Sequence, residues 1–271
     1  MRTITSRQHA MVGRFRAAAA RPSGTADLLI DGPHLVRDAL AAGVTLDTVA
    51  TTAAARETAE IAAIIDALAT TGTEVVSVSE PVMGALSPVR TPTGIVAIGQ
   101  GATATLSAVL ARQPALVVAL FGVQDPGNVG AVIRAADAAG ATGIVVLDGC
   151  ASPFGWKALR GAMGSTFRVP TCEGIPLAET LSEARRAGVL CLAAVPSGAP
   201  AHFDCDLRRP ALLLMGGEGP GLDAAALAAA DGAVCIPMAP GVESLNVAVA
   251  AGVLLFEARR QRSFSDTRVR R

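Results

Sequence analysis

The chain has 271 residues, 51% of them apolar, which is enough for two ordinary domains with buried cores. Formal net charge is zero, no apolar run approaches the roughly 18 residues of a membrane helix, and MRTITSRQHA has no signal-peptide apolar region, so a soluble, cytoplasmic protein is expected. Cys150, Cys172, Cys191, Cys205 and Cys235 form no CxxC pair and read as reduced, buried thiols, while His9, His34 and His202 fall in no HExxH spacing, so no metal site is expected.

In chain order, residues 6–20 (SRQHAMVGRFRAAAA) read as a basic helix ended by RPSG. An alternation follows: DLLI as strand, GPHLVRDALAAG as helix, LDTVATT as strand, ARETAEIAAIIDALATTG as helix, then EVVSVS and GIVAIG as strands. This predicts a small α/β domain over residues 1–100, with 101–113 as a linker. A second alternation opens with the apolar run ALVVALF, continues with the helix NVGAVIRAADAAG and the strand GIVVLD, and adds strands VLCLAAV, ALLLM and AVCIPM. Helices are expected near WKALRGAMG, PLAETLSEARRAG and LDAAALAAA, giving a mostly parallel sheet over 114–264 and a basic tail at 265–271. Charge is unevenly placed. Arg2, Arg7, Arg14, Arg16 and Arg21 precede the first acid, Asp27, and Arg259, Arg260, Arg262, Arg268, Arg270 and Arg271 crowd the end. Basic ends are either solubilising tails or phosphate-binding arms.

Three glycine- or proline-rich segments after strands are where ligands are expected. In FGVQDPGNVGAVIRAADAAG, Asn128 and Arg134 lie on one helix; Asn128 as N-cap with Arg134 paired to Asp137 is one reading, a ligand site the other. LLLMGGEGPGLD runs a strand into four glycines that let a ligand approach the backbone, but without GxGxxG or a Walker lysine. Its Glu218 suits a cation partner such as Arg134. In PMAPGVESLN, Ser244 is the expected N-cap of the last helix, and Asn246 is left without an explanation by capping.

Taken together, N-x5-R in DPGNVGAVIR, GGEGPGL after an apolar strand, and IPM-x5-SLN running into LLFEARRQR resemble the three motifs of the SpoU/TrmH family, RNA ribose 2′-O-methyltransferases of the SPOUT class. The similarity covers about residues 114–262, and LIDGPHLVRDALAAG with TPTGIVAI looks like the ribosomal-protein-like RNA-binding domain that many members carry first. The resemblance implies a trefoil knot, which ordinary topology rules would not predict, and a homodimer whose site lies at the knotted interface. It carries catalytic or substrate-orienting roles to Asn128, Arg134, Glu218, Ser244 and Asn246. It implies S-adenosylmethionine as cofactor, held around Gly216, Gly217, Ile236, Met238 and Leu245. Many members have Asn where this chain has Gly217, so a side-chain contact made there is absent.

The implied reaction is methyl transfer to a ribose hydroxyl of RNA, with ribosomal RNA favoured over transfer RNA by the separate N-terminal domain. An RNA-binding or ribosome-assembly protein without activity is the alternative outside enzymes, and the five retained polar residues argue against it.

Overall fold

Period-two burial organises the first sheet. In the computed structural model, which describes residues 1–21, 26–101 and 103–265, the N-terminal elements are β1 (Arg2–Ile4), α1 (Ala10–Ala20), β2 (Asp27–Asp31), α2 (Pro33–Ala41), β3 (Leu46–Thr52), α3 (Ala53–Arg56), α4 (Ala59–Leu68), β4 (Glu74–Val78), α5 (Glu80–Leu86) and β5 (Ile95–Gln100). The strands lie in the order β1-β4-β3-β5-β2, with β5 antiparallel to β2 and β3. Leu29, Ala50, Val76 and Ile98 pack with α1 and α5, whereas Leu28, Ile30, Val49 and Ala97 pack with α2 and α4. Alternate residues thus feed two cores, and both faces of the sheet are covered.

The rest of the chain forms α6 (Leu106–Ala111), β6 (Leu116–Phe121), α7 (Pro126–Ala139), β7 (Gly143–Leu147), α8 (Trp156–Ala162), β8 (Thr171–Ile175), α9 (Leu177–Arg186), β9 (Leu190–Val195), β10 (Ala211–Gly216), α10 (Ala224–Ala229), β11 (Gly232–Cys235) and α11 (Val247–Ser265). Six strands pair in the order β11-β9-β10-β6-β7-β8, all parallel. Val117, Ala119, Leu212 and Leu214 face a core shared with α6 and α9. On the other side α7 and α11 pack together, burying Val132, Ile133, Ala136, Leu254 and Leu255. The expected α/β architecture with a parallel C-terminal sheet is what the chain forms. No helix among the described residues is long and apolar enough to cross a membrane.

Two compact units result, and their boundaries differ from a simple tandem: one is Met1–Ala102 with Phe154–Phe167, the other Thr103–Pro153 with Arg168–Arg271. The WKALRGAMG helix, expected in the catalytic half, is α8 of the first unit. It lies against β2, an edge strand of that sheet. Trp156 packs into the core under α1 and α5, while Phe154 and Leu159 enter the opposite one. A helix over an unpaired edge shields it from other chains.

The stretch 101–113, expected as a linker, is corrected too. It contains α6, capped by the Thr105 side chain, and Leu106, Val109 and Leu110 are buried in the second unit. The strands β1 and β8 and the helix α5 were not expected from the sequence.

Candidate active site

Where β6, β10 and β11 end, their loops approach one another within the second unit. Asp125 accepts a hydrogen bond from the Asn128 N–H at 3.0 Å and Pro126 occupies the first turn, so Asp125 is the N-cap of α7. Asn128 is therefore not a cap, and its side chain is free for other partners. At Gly217 the chain passes so close to the motif-one loop that a Cβ would overlap the Gly122 carbonyl, and the Gly217 N–H donates to Phe121 O at 2.8 Å. An asparagine at 217 would have to push these two backbones apart. A Cβ at Gly216 would sit about 2.6 Å from the Gly221 carbonyl carbon, so this glycine closes the loop on itself.

The last helix begins later than Ser244 suggests. Asn246 is its N-cap: Oδ1 accepts from the N–H groups of Ala248 (2.9 Å) and Val249 (3.4 Å). Ser244 is exposed and caps nothing among the described residues. With Oδ1 spent on the helix start, the Asn246 Nδ2 donates to Asn128 Oδ1 at 3.0 Å. Asn128 then has its own Nδ2 to offer, and it donates to Glu218 Oε1. The orientation of all three groups follows from the first bond, because an amide has one donor end and one acceptor end. Three residues far apart in sequence form one polarised chain ending on a carboxylate.

Beside this chain lies a cavity of about 560 Å³, within the range of small-molecule sites. Gly216, Gly217, Ile236, Met238 and Leu245 line it, as do Glu218, Ser244 and Asn246. Its walls are mainly backbone and apolar side chains, including Val195, Leu222 and Val247. Such a lining suits a ligand with a flat apolar body read by a few backbone polar groups. Pro196 and Leu227, which also line it, were missed because neither carries a polar signal in sequence.

Arg134 stands apart. It is exposed, lies outside the cavity lining, and makes no hydrogen bond or ion pair among the described residues. The expected partners are otherwise engaged: Asp137 is paired with Arg168 at 2.7 Å, and Glu218 is held by Asn128. Both sequence readings of its pairing are thereby corrected.

The basic ends are also less free than their sequence suggests. Arg2 pairs with Glu74 at 3.0 Å, and Arg14 bridges Asp27 (3.0 Å) and Asp47 (2.6 Å), which holds Asp27 below the usual carboxylate range. Arg262 donates to the carbonyls of Leu207, Pro114, Ala115 and Arg209 at 2.8–2.9 Å. Arg268, Arg270 and Arg271 lie outside the described residues. Among those described, no cluster of His, Cys, Asp and Glu could hold a metal ion.

Comparison with known proteins shows the family. The SpoU rRNA Methylase family model matches residues 115–256, and an MRM3-like substrate binding domain matches 23–97. An uncharacterized tRNA/rRNA methyltransferase of Synechocystis is 34% identical over 98% of this chain and 96% of its own. The 23S rRNA (guanosine(2553)-2′-O)-methyltransferase RlmP of Bacillus subtilis is 35% identical over 87% of this chain and 89% of its own. The AdoMet-bound rRNA methyltransferase of Sinorhizobium meliloti superposes with a TM-score of 0.85 at 31% identity, covering 96% of this chain and 97% of that one. The chain belongs to the SpoU rRNA methylase family and is an RNA ribose 2′-O-methyltransferase that uses S-adenosylmethionine, with a substrate-binding domain ahead of the catalytic one.

Proposed function

We propose that the enzyme methylates the 2′-hydroxyl of one ribose in 23S ribosomal RNA, acting in the cytoplasm as a homodimer with the knotted topology of its family. The observation that carries the assignment of the site is the Asn246–Asn128–Glu218 chain at the rim of the cavity. The ribosomal substrate is supported by the name of the RlmP relative, which is similar over both units. The cofactor, when bound, supplies an electrophilic methyl group on a sulfonium.

Around that group the residues would have three tasks. Gly216, Gly217, Ile236, Met238 and Leu245 hold the cofactor through backbone and apolar contact. Asn246 and Asn128 fix the Glu218 carboxylate, and Ser244 and the free carboxylate edge face the incoming nucleotide. Arg134 binds the target phosphate and polarises the hydroxyl; a guanidinium effectively never deprotonates, so the proton leaves to water or a phosphate oxygen. Methyl transfer is an in-line displacement, so alignment of the hydroxyl is the main demand on the protein.

The dimer gives Arg134 its place. Among the described residues it has no partner and no part in its own cavity lining, while Val242, Leu245, Val249 and Phe256 are exposed apolar side chains on the last helix and the loop before it. A second copy covering that surface would receive Arg134 from its partner and complete both sites. Mapping ribose methylation across total RNA from cells with and without the gene tests the substrate. One 23S position should lose its methyl group; loss from a transfer RNA alone would overturn the ribosomal reading.

A further inference from the structure

The two faces of the N-terminal unit differ in charge. Against the core formed by α2 and α4, the helices and the residue ending α3 carry Asp38, Glu57, Glu60 and Asp66 against Arg37 and Arg56. Arg37 is committed there, donating to Glu60 at 3.0 Å and to His34 Nδ1 at 2.9 Å. The opposite face, under α1 and α5, carries Glu80 and the Arg14 pairs with Asp27 and Asp47, and beside them further cations that form no ion pair among the described residues. Arg7, Arg16, Arg90, Lys157 and Arg160 are all exposed, and their side chains make no hydrogen bond or ion pair among the described residues.

Several of these cations stand on elements that share one core. Val12, Phe15 and Ala18 turn inward from α1, and Arg16 stays exposed. Trp156 of α8 packs into the same core, and the Lys157 ammonium lies 5.5 Å from the Trp156 ring centroid. Arg160 follows Trp156 by four residues and so shares its side of the helix. It faces the end of β2, where the buried Asp31 accepts from Ser87 Oγ at 2.5 Å and Ser87 Oγ receives the Val89 N–H at 3.3 Å. That carboxylate, raised above its ordinary range by burial, ties the loop carrying Arg90 to the strand Arg160 faces. Arg160 has the Asp31 carboxylate nearby, whereas Arg16 and Lys157 have no carboxylate partner among the described residues, and exposed cations without partners attract a polyanion.

We propose that this α1–α8 face is where the N-terminal unit grips the phosphate backbone of its substrate RNA, with Arg16, Lys157 and Arg160 as central contacts. The proposal rests on the RNA methylation reading above and adds to it a surface, half of which comes from a segment inside the catalytic family match. Aromatic stacking has little part in it, since Trp156 is half-buried and Lys157 lies against its ring. Recognition here is by charge and shape, the mode suited to structured RNA.

The test compares the full-length parent with Arg16→Gln/Lys157→Gln/Arg160→Gln and, on the opposite face, Arg37→Gln. Binding to 23S rRNA transcripts is followed from about 50 to about 200 mM salt, and each phosphate contact contributes about 0.7–0.9 to the slope of log affinity against log salt. The triple variant should lose about 2–3 units of slope and at least about tenfold in affinity, with calorimetric S-adenosylmethionine affinity unchanged and Arg37→Gln at the parental slope. If Arg160→Gln impairs folding next to Asp31, Arg16→Gln/Lys157→Gln should still lose about 1.4–1.8 units. A parental slope in a folded variant, while the parent methylates ribosomal RNA, overturns the surface alone. A parent that neither binds nor methylates ribosomal RNA overturns the substrate reading and the surface with it.

Discussion

Asn246 does two things with one side chain, and each end of its amide is assigned. Its oxygen closes the start of α11 and its nitrogen polarises Asn128, which in turn holds Glu218. Replacing the amide by a carboxylate separates these roles. In Asn246→Asp the oxygen that caps the helix remains, and a negative charge there also suits the helix dipole, so stability should stay within about 1 kcal/mol of the parent. The donor to Asn128 is gone, however. Asn128 can then satisfy the new carboxylate only by turning its own acceptor toward Glu218, which leaves two carboxylates and one donor. We predict a loss on the order of tenfold to a hundredfold in single-turnover rate with an unchanged urea midpoint; a parental rate would show that the relay is structural only. Capping was the part of this arrangement misread in sequence. Ser244 and Asn246 both suit a helix start, and only the backbone shows that the helix begins at Val247. For α7 the signal was present: Asp125 directly precedes Pro126, the arrangement that favours an N-cap at that aspartate.

At the scale of elements, Arg262 shows why charge counted along a chain misleads. Its guanidinium reaches four carbonyls in the segments that precede β6 and β10, so α11 is tied to the starts of two central strands. Desolvation in this half-buried position lowers its pKa, yet the hydrogen bonds are worth keeping only for a planar fork with several donors. Arg262→Ala should cost about 2–4 kcal/mol, since four carbonyls, two of them in part-buried positions, lose a charged donor at once, and Arg262→Lys should recover less than half of that. Urea unfolding monitored by circular dichroism measures both; a loss below about 0.5 kcal/mol for the alanine variant would remove the strut. The strands that alternate or run apolar, such as LDTVATT and ALVVALF, were legible in sequence because burial has a short period. Ion pairs such as Arg2–Glu74 were not, because the partners are 72 residues apart and nothing local marks them.

For the whole molecule, two facts escape any reading along the chain. The helix α8 belongs by packing to the N-terminal unit although it lies among the catalytic motifs, and Arg134 has no partner within its own subunit's described residues. The first follows from an edge strand needing cover, which only the three-dimensional sheet order reveals. The second leads to a prediction about assembly. If each copy lends Arg134 to the other, mixing Arg134→Ala protomers with Asn246→Asp protomers should restore transfer, because the mixed dimer has one site with both residues intact. Recovery up to about half the activity of a parental dimer per mixed dimer is expected, and no recovery after verified subunit exchange would place Arg134 in its own subunit's site.

The most direct test of the account is the rate at which Arg134→Ala transfers labelled methyl to 23S ribosomal RNA in a single turnover. With Asp137 already paired to Arg168, removal of Arg134 breaks no ion pair, so stability should change by less than about 0.5 kcal/mol. If Arg134 holds the reacting nucleotide, transfer should fall by about a hundredfold or more while S-adenosylmethionine affinity and the mass in solution stay at parental values. Transfer at a near-parental rate would contradict the role assigned to Arg134 and, with it, the reading of the site.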